Sequence, residues 1–262
     1  MNESSSKHPK IRNIDSIYAR LHKYLDEIAP PTSNYSQQTE EQNYSLKQFV
    51  LGEGNPFRVL ISAGIHGDEP SGVETICALF ENDIFKNYID DWEIILLPCL
   101  NPYGYERGIR ENHEGIDLNR SFRNESPPQE VVFAQSIFDK EFDLTIELHE
   151  DDESKGYYLY QKGDHLEDDV LGPQIIHTVK KIIPINDDSE IDGHISKAGI
   201  VTTVEDYKTM DWWPMTLFSI SKNSRRCFTL ESPTALPLEK RVAAHISAVE
   251  MALNYFTKVF TD

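Results

Sequence analysis

The sequence lacks any long apolar segment and has little positive charge. None of its 262 residues lies in a run approaching the ~20 consecutive apolar residues of a membrane span, so no membrane partner is expected. The first ten residues are polar and lack the apolar stretch of a secretory signal, which predicts a cytoplasmic protein. Lysine and arginine number 25 against 44 aspartate and glutamate residues, a formal net charge of -19. Such a surface repels nucleic-acid phosphates, so no nucleic-acid partner is predicted.

Cysteine is scarce as well. Cys77, Cys99 and Cys227 are far apart and odd in number, which favours free, buried thiols in a reducing compartment. The chain also lacks repeats, low-complexity blocks and a linker that would divide it. We therefore expect a disordered tail over residues 1–12 and one domain over 13–262, long enough for a sizeable core. The oligomeric state is left open.

Short apolar strands alternate with helices along this domain. Helical spacing of apolar residues, with prolines at helix ends, predicts helices over 14–28, 70–81, 129–140, 169–183 and 237–260. Apolar runs predict strands over 45–51, 57–63, 93–97, 143–148 and 226–230, with a polar loop over 32–43. This alternation predicts a single-domain, three-layer αβα sandwich with a mixed, mostly parallel central sheet.

Groups that bind metals follow the ends of these predicted strands, where ligands bind in such sheets. His66 and Glu69 follow one apolar strand, and His149 ends another. Two histidines and a carboxylate leave a fourth zinc position open for water, as catalytic sites require. Asp117 is expected to accept the other ring N–H of His66 and fix its tautomer. A lone His-x-x-Glu is a weak signal and a strand-end histidine is commonly structural, so these residues alone leave both interpretations open.

Further motifs occur in the same chain order as in a known family. They are His66-Gly67-Asp68-Glu69, Asn101-Pro102-x-Gly104, Arg110, Asp117-Leu118-Asn119-Arg120, Glu147-Leu148-His149 and Phe228-Thr229-Leu230-Glu231. Together they resemble the zinc carboxypeptidases of the M14 type and the broader group that includes the aspartoacylases and succinylglutamate desuccinylases. The resemblance spans residues 61–231. It implies a zinc carboxypeptidase-like domain with one zinc ion per chain, held by His66, Glu69 and His149.

The resemblance also implies the residues that act on the bond. Glu231 matches the glutamate that serves as general base and acid, and a carboxylate at a strand end near the metal suits that role. Arg110 matches the arginine that stabilises the developing oxyanion. Arg107, three residues earlier, is the competing candidate, and if neither acts, both are solvated loop charges.

Substrate recognition is implied for a second set of residues. Asn119 and Arg120 match the pair that binds the substrate's free carboxylate, for which an arginine fork and an amide donor are suited. The alternative is that they only cap a turn. Tyr207, 24 residues before Glu231, is the candidate for a phenol donor on a mobile loop.

Two enzymatic functions agree with this pattern. The first is a zinc metallocarboxypeptidase that hydrolyses a C-terminal peptide or amide bond by metal-activated water, including the cell-wall peptide amidases. The second is a zinc-dependent N-acyl amino acid deacylase like succinylglutamate desuccinylase or aspartoacylase. The substrate would be a small peptide or an acyl amino acid with a free carboxylate. A degenerate binding module is disfavoured because every expected ligand and Glu231 are present.

Departures from the pattern bear on the substrate. Digestive carboxypeptidases usually carry an arginine where this chain has Asp68, and the segment from Gly108 to Arg120 looks more like small bacterial enzymes that trim cell-wall peptides. Four acidic residues follow His149, at positions 150–153. They recognise a substrate ammonium group in one hypothesis and form a solvated acidic loop in the other.

Overall fold

The computed structural model describes residues 10–25, 35–39, 42–163, 170–202 and 207–260. The helices are α1 (Ile14–Leu25), α2 (Pro70–Glu81), α3 (Pro102–Arg107), α4 (Gln129–Ser136), α5 (Leu171–Val179), α6 (Met215–Ser221) and α7 (Leu238–Phe260). The strands are β1 (Ser36–Gln38), β2 (Asn43–Ser45), β3 (Phe49–Leu51), β4 (Phe57–Ala63), β5 (Trp92–Leu97), β6 (Leu144–Asp151), β7 (Tyr158–Gly163), β8 (Glu190–Ile191), β9 (His194–Lys197), β10 (Ile200–Val201) and β11 (Arg226–Pro233). Short 3-10 turns complete the regular structure.

One mixed sheet organises the domain. Its nine strands have the order β3-β5-β4-β6-β11-β7-β10-β9-β8, while β1 and β2 pair separately. The four strands β5, β4, β6 and β11 are mutually parallel and form the centre of the sheet. On either side, β3 and β7 pair with this centre antiparallel. The carboxyl ends of β4, β6 and β11 therefore meet at one edge.

Helices cover both faces of the sheet because strand side chains alternate between them. In β4, Ile61 belongs to the core beneath α2, α5 and α7, whereas Leu60 belongs to a second core that includes Phe133 of α4 and Met215 of α6. All four side chains are buried. The predicted three-layer αβα fold is confirmed.

The two strands that carry the candidate site extend further than their apolar runs indicated. We predicted that β6 would end at Leu148 and β11 at Leu230, but the ladder continues to Asp151 and Pro233. The reason is that β6 and β11 remain paired in register across these polar residues, with His149 opposite Glu231. Backbone hydrogen bonds between the strands outweigh the loss of apolar patterning.

Other boundaries also differ from the predictions. The predicted 32–43 loop contains β1 and the first residue of β2, and α4 ends at Ser136 and not at residue 140. The predicted first helix ends at Leu25 within the described residues, and residues 26–28 lie outside them. At the end of the predicted tail, the backbone N–H groups of Ile11 and Arg12 donate to the Glu106 carbonyl. Residues 1–9 lie outside the described part of the chain.

Candidate metal centre

His66, Glu69 and His149 lie together at the carboxyl edge of the sheet. Each offers a ligand atom within 4.8 Å of the others, and all three side chains are buried. Nδ1 of His66 is 2.6 Å from Oε1 of Glu69, and Nδ1 of His149 is 2.9 Å from Oε2 of the same carboxylate. Two imidazoles and one carboxylate form the donor set that a catalytic zinc ion takes, so the arrangement fits this metal.

Opposite charges set the protonation of this cluster. Burial would raise the pKa of Glu69, but the neighbouring imidazoles hold it well below its usual range. Burial opposes charging His66 and His149, yet the Glu69 carboxylate raises the pKa of both, with further contributions from Asp117 at His66 and from Glu147 at His149. Charge attraction thus groups these side chains around one point, where a cation would bind them jointly.

Asp117 lies where the sequence predicts it. Its Oδ1 is 3.2 Å from Nε2 of His66, on the side of the ring opposite Glu69. Burial would raise the pKa of Asp117, but His66, Arg110 and Arg120 lower it. Asp117 Oδ1 also accepts the backbone N–H of Asn119 at 2.9 Å. This carboxylate therefore links the His66–Glu69–His149 group to the segment that carries Asn119.

Two glycine-containing motifs pack directly on each other to place the His66 loop. A Cβ atom on Gly67 would lie 2.0 Å from the carbonyl carbon of Gly104, so only glycine permits this backbone approach. Asn101 caps α3 by accepting the Gly104 N–H, and its amide donates to the carbonyl of Arg110 at 3.2 Å. The guanidinium of Arg12 donates to the Gly67 carbonyl at 3.0 Å. The Gly104 backbone and the Arg12 guanidinium thus both contact the loop that carries His66.

Arg110 and Arg107 occupy different environments, although they are three residues apart. Arg110 Nε donates to Asp117 at 3.0 Å, and its NH1 lies 3.5 Å from Oε1 of Glu69. Arg107 is buried, donates to the Tyr44 hydroxyl at 2.9 Å and stacks on the ring of Tyr103. Of the two arginines considered for oxyanion stabilisation, only Arg110 borders the His66–Glu69–His149 group.

Glu231 lies beside His149, on the neighbouring strand. The two residues are direct partners in the parallel ladder, so their side chains point to the same face. Burial of the Glu231 carboxyl group raises its pKa, and the neighbouring His149 opposes this effect. A raised pKa brings a carboxyl group closer to neutral pH, where it can exchange a proton.

Asn119 and Arg120 face a third region of the site. Asn119 is buried, and its Oδ1 accepts the backbone N–H of Met215 at 2.9 Å, which turns its amide donors the other way. Arg120 is exposed, and its guanidinium lies 4.3 Å from the ring centre of Trp212. The 212–215 segment thus orients both members of the predicted pair.

Two other predictions have different outcomes. Tyr207 begins a short 3-10 turn, but its side chain lies outside the described residues, so its role as phenol donor stays a prediction. In the acidic segment, Glu150 accepts the Ser71 N–H at 2.6 Å and pairs with Arg241, while Asp151 accepts the Tyr158 hydroxyl at 2.9 Å. Both carboxylates are therefore engaged by groups of this chain.

His245 is a neighbour of the centre that the sequence analysis did not connect with it. It is fully buried in α7, and its Nε2 lies 3.1 Å from the backbone carbonyl of His149. Its Nδ1 is 3.2 Å from the Tyr157 hydroxyl. Burial lowers the pKa of His245 to about 3. Its position between the buried Ala244 and Ala248 of α7 could have indicated its burial, but nothing local indicates its contact with β6.

Comparison with known proteins agrees with this geometry. The sequence model of the succinylglutamate desuccinylase/aspartoacylase catalytic domain matches residues 56–244, more than half of the chain. The chain belongs to this family. The resemblance inferred from the motifs is thereby confirmed for the broader group.

Members of the wider group include curated peptidases and amidases. Carboxypeptidase D of Mus musculus is 31% identical over 117 residues, which cover 37% of this chain and 8% of that protein. Murein peptide amidase A of Escherichia coli K12 is 44% identical over 64 residues, which cover 24% of each chain. These stretches span well under two thirds of either relative.

Solved structures share the whole fold. A candidate metallopeptidase from Shewanella amazonensis SB2B superimposes with a TM-score of 0.79, covering 93% of both chains at 20% identity. A metallo-carboxypeptidase from Burkholderia cenocepacia has a TM-score of 0.68 and covers 94% of this chain and 70% of its own at 16% identity. At these identities the likeness concerns the fold.

No helix among the described residues has the length and apolar character needed to cross a membrane.

Proposed function

We propose that the protein is a zinc-dependent hydrolase of the metallocarboxypeptidase type, which cleaves a peptide or amide bond next to a substrate's free carboxylate. One juxtaposition carries the proposal. The buried His66–Glu69–His149 cluster has Arg110 on one side, within 3.5 Å of Glu69, and has Glu231 beside His149 on the adjoining strand. Metal ligands, a cation and an exchangeable carboxyl group are the components that such a hydrolysis needs.

The residues divide the chemical work as follows. A zinc ion at His66, Glu69 and His149 would activate a water molecule and polarise the scissile carbonyl. Glu231 takes up the proton that the attacking water loses and delivers it to the departing nitrogen. Its raised pKa supports this exchange, because a carboxyl group whose pKa is shifted towards neutral pH returns a proton more readily than an ordinary carboxylate.

Arg110 carries the charge that develops on the carbonyl oxygen. Its guanidinium is fixed by the Asp117 carboxylate at 3.0 Å and remains about one third exposed, so it can still reach a substrate. Arginine does not lose its proton at any working pH, and Asp117 and Glu69 raise the pKa of Arg110 further against the effect of burial. The positive charge is therefore in place before the substrate binds.

Asn119 and Arg120 bind the substrate's free carboxylate. The backbone N–H of Met215 donates to Oδ1 of Asn119, which orients the amide N–H groups of Asn119. The exposed Arg120 guanidinium is held against the ring of Trp212. An amide and a guanidinium together orient a carboxylate through several charge-assisted hydrogen bonds. This selects bonds at the end of a peptide over bonds in its interior.

The substrate class that we propose is a small cell-wall peptide. The similarity to murein peptide amidase A supports this choice, as does the Gly108–Arg120 segment that resembles small bacterial enzymes. One zinc ion per chain is proposed because the described residues contain a single group of three or more His, Cys, Asp and Glu side chains that meets metal-binding geometry.

A second candidate is a zinc-dependent N-acyl amino acid deacylase. The family match favours it, because the matching domain is named for a desuccinylase and an acylase. Both activities would use the same metal ligands, Glu231 and carboxylate-binding pair. They differ in the group on the other side of the bond, which is a peptide in one case and an acyl chain in the other.

Paired assays separate these candidates. The zinc-loaded protein would be given peptides with free or amidated C-termini, murein tripeptides and tetrapeptides, and N-succinyl and N-acetyl amino acids. We expect amino acid release from peptides with a free carboxylate, lost in Glu231→Gln and kept in Glu239→Gln, an exposed glutamate of α7. Turnover of acyl amino acids alone would favour the deacylase. No turnover of any substrate by protein with a full complement of zinc would contradict both.

A further inference from the structure

A second buried carboxylate lies next to the metal cluster and has no role in the chemistry above. Glu147 precedes His149 by two residues in β6, so its side chain points to the same face of the sheet. It is 1% exposed. Its Oε1 accepts the hydroxyl of Thr216 at 2.6 Å, and that hydroxyl lies 2.8 Å from Oγ1 of Thr229.

The other oxygen of Glu147 is different. Among the described atoms, Oε2 has no hydrogen-bond partner, although it is buried. The nearest cationic group is the imidazole of His149, whose Nε2 lies 3.7 Å away. Burying a carboxylate oxygen without a donor is costly, so an unpaired oxygen at this position calls for a partner. The 3.7 Å separation between Nε2 of His149 and Oε2 exceeds the usual N–H···O hydrogen-bond limit by only about 0.5 Å.

The two rings of the cluster are arranged alike. His66 presents Nδ1 to Glu69 and Nε2 to Asp117, at 2.6 and 3.2 Å. His149 presents Nδ1 to Glu69 at 2.9 Å and Nε2 to Glu147. Each imidazole therefore stands between the shared carboxylate of Glu69 and a carboxylate of its own. Carboxylates in the outer position fix the tautomer of a metal-binding histidine and the orientation of its ring.

We propose that Glu147 is a positioning residue of the metal centre. Its Oε2 accepts the Nε2–H of His149 and so leaves Nδ1 as the nitrogen available to a metal ion. Thr216 holds the carboxylate in this orientation through Oε1, which makes α6 part of the support of the centre. This role rests on the proposed zinc site. Glu147 itself transfers no proton and forms no bond with the substrate.

Zinc affinity tests the role without relying on turnover. In the full chain, Glu147→Gln keeps the shape of the side chain but loses its charge, and we expect zinc to bind about 10–100-fold more weakly in chelator competition. Thr216→Val removes the hydroxyl that orients Glu147, and we expect a smaller loss. Thr216→Ser keeps the hydroxyl and should bind zinc like the unaltered protein. Glu239→Gln, on the surface of α7, controls for the loss of one negative charge.

Histidine NMR supplies a second measurement. In zinc-loaded protein with ¹⁵N-labelled histidine, we expect a protonated Nε2 on His149 whose proton signal shifts in Glu147→Gln. Unchanged zinc affinity and an unchanged signal in Glu147→Gln would overturn the proposal, as would an altered preference for basic substrates with zinc affinity intact. If Glu147→Gln does not fold, equal affinity of Thr216→Val and Thr216→Ser would overturn it.

These outcomes separate this inference from the proposed function. If the unaltered protein binds zinc and turns over substrate while the Glu147 and Thr216 variants match it, only the positioning role fails. If the unaltered protein binds no zinc, the proposed function and the positioning role fail together.

Discussion

Glu231 and His149 are direct partners in the ladder between the parallel strands β11 and β6. This pairing places a carboxyl group of raised pKa beside a metal-ligand candidate through backbone hydrogen bonds alone, without a flexible loop. Groups held on strands keep their geometry better than groups held on loops. Because Glu231 is next to His149 but is not itself a candidate ligand, a substitution of Glu231 can test catalysis while leaving metal binding intact.

That substitution is Glu231→Gln. It keeps the size of the side chain and removes its ability to take and give a proton, so we expect kcat to fall by roughly 10²–10⁴-fold. Zinc content should remain that of the unaltered protein, because Glu231 is outside the His66–Glu69–His149 group. Steady-state kinetics with metal analysis checks both statements. A variant that retains more than a tenth of kcat would exclude Glu231 as the main proton carrier.

Arg110 and Arg107 should respond in opposite ways. Arg110→Ala removes the cation beside Glu69, and we expect kcat to fall by roughly 10²–10³-fold, as for the loss of an oxyanion donor. Arg107→Ala removes buried contacts with Tyr44 and Tyr103, and we expect a loss of roughly 1–3 kcal/mol in unfolding free energy with kcat retained. Kinetics and denaturant unfolding of both variants check this. Equal kinetic losses would contradict the assignment.

Trp212 should affect binding and not turnover. Trp212→Ala removes the ring beneath Arg120, a contact of about 0.5–1 kcal/mol at an exposed position, so KM should rise about two- to fivefold. Trp212→Phe keeps an aromatic face, so its KM should lie between those of the unaltered protein and Trp212→Ala. A peptide with an amidated C-terminus, tested as a competitive inhibitor, provides the control, since its inhibition constant should not change. A change in kcat without a change in KM would argue against this role.

Metal removal should lower thermal stability. An ion that binds only the folded state stabilises it by about 2.7 kcal/mol at a free concentration 100 times its Kd. We therefore expect Tm to rise when zinc is added to chelator-treated protein. His149→Ala should abolish the rise, and His177→Ala, an exposed histidine of α5, should keep it. A zinc-dependent rise of Tm in His149→Ala would show that zinc binds at another site.

Lys162, in β7, gives the stability of the protein a pH dependence of its own. Burial lowers its pKa from 10.5 to about 8. Between pH 8 and 10.5 the unfolded chain keeps this proton while the folded protein has lost it, so stability from this group rises with pH across that window. Lys162→Met should flatten this part of the profile and stabilise the protein below pH 8. Denaturant unfolding from pH 7 to 10.5 measures it, with the exposed Lys180→Met as control.

The sequence predicted those parts of the site that depend on local order. His66 and Glu69 follow an apolar strand and precede a proline that starts α2, so strand, loop and helix signals agree within a few residues. His149 and Glu231 follow apolar runs in the same way. The alternation of strands and helices gave the layers of the fold for the same reason.

Contacts between distant segments had no such signal. Arg107 and Arg110 could not be separated by spacing, because their directions depend on Gly108, whose positive φ of 63° ends α3 and turns the chain. His245 reaches His149 across 96 positions, and strands β8 to β10 are only two to four residues long. Neither long-range packing nor very short strands leave a periodic pattern in a single sequence.

The contact between Gly67 and Gly104 limits how this centre could be transplanted or diversified. A Cβ atom on Gly67 would collide with the Gly104 backbone, and one on Gly104 would collide with the Asn101 amide, so mutagenesis at either position should yield inactive clones whatever side chain is introduced. An engineer who moves the His66–Glu69 loop to another scaffold would have to carry the Asn101–Arg110 segment with it, since that segment supplies the opposing surface and the cap. By contrast, the 212–215 segment touches the proposed carboxylate-binding pair, so it offers a place to redesign substrate choice while the proposed metal ligands stay untouched.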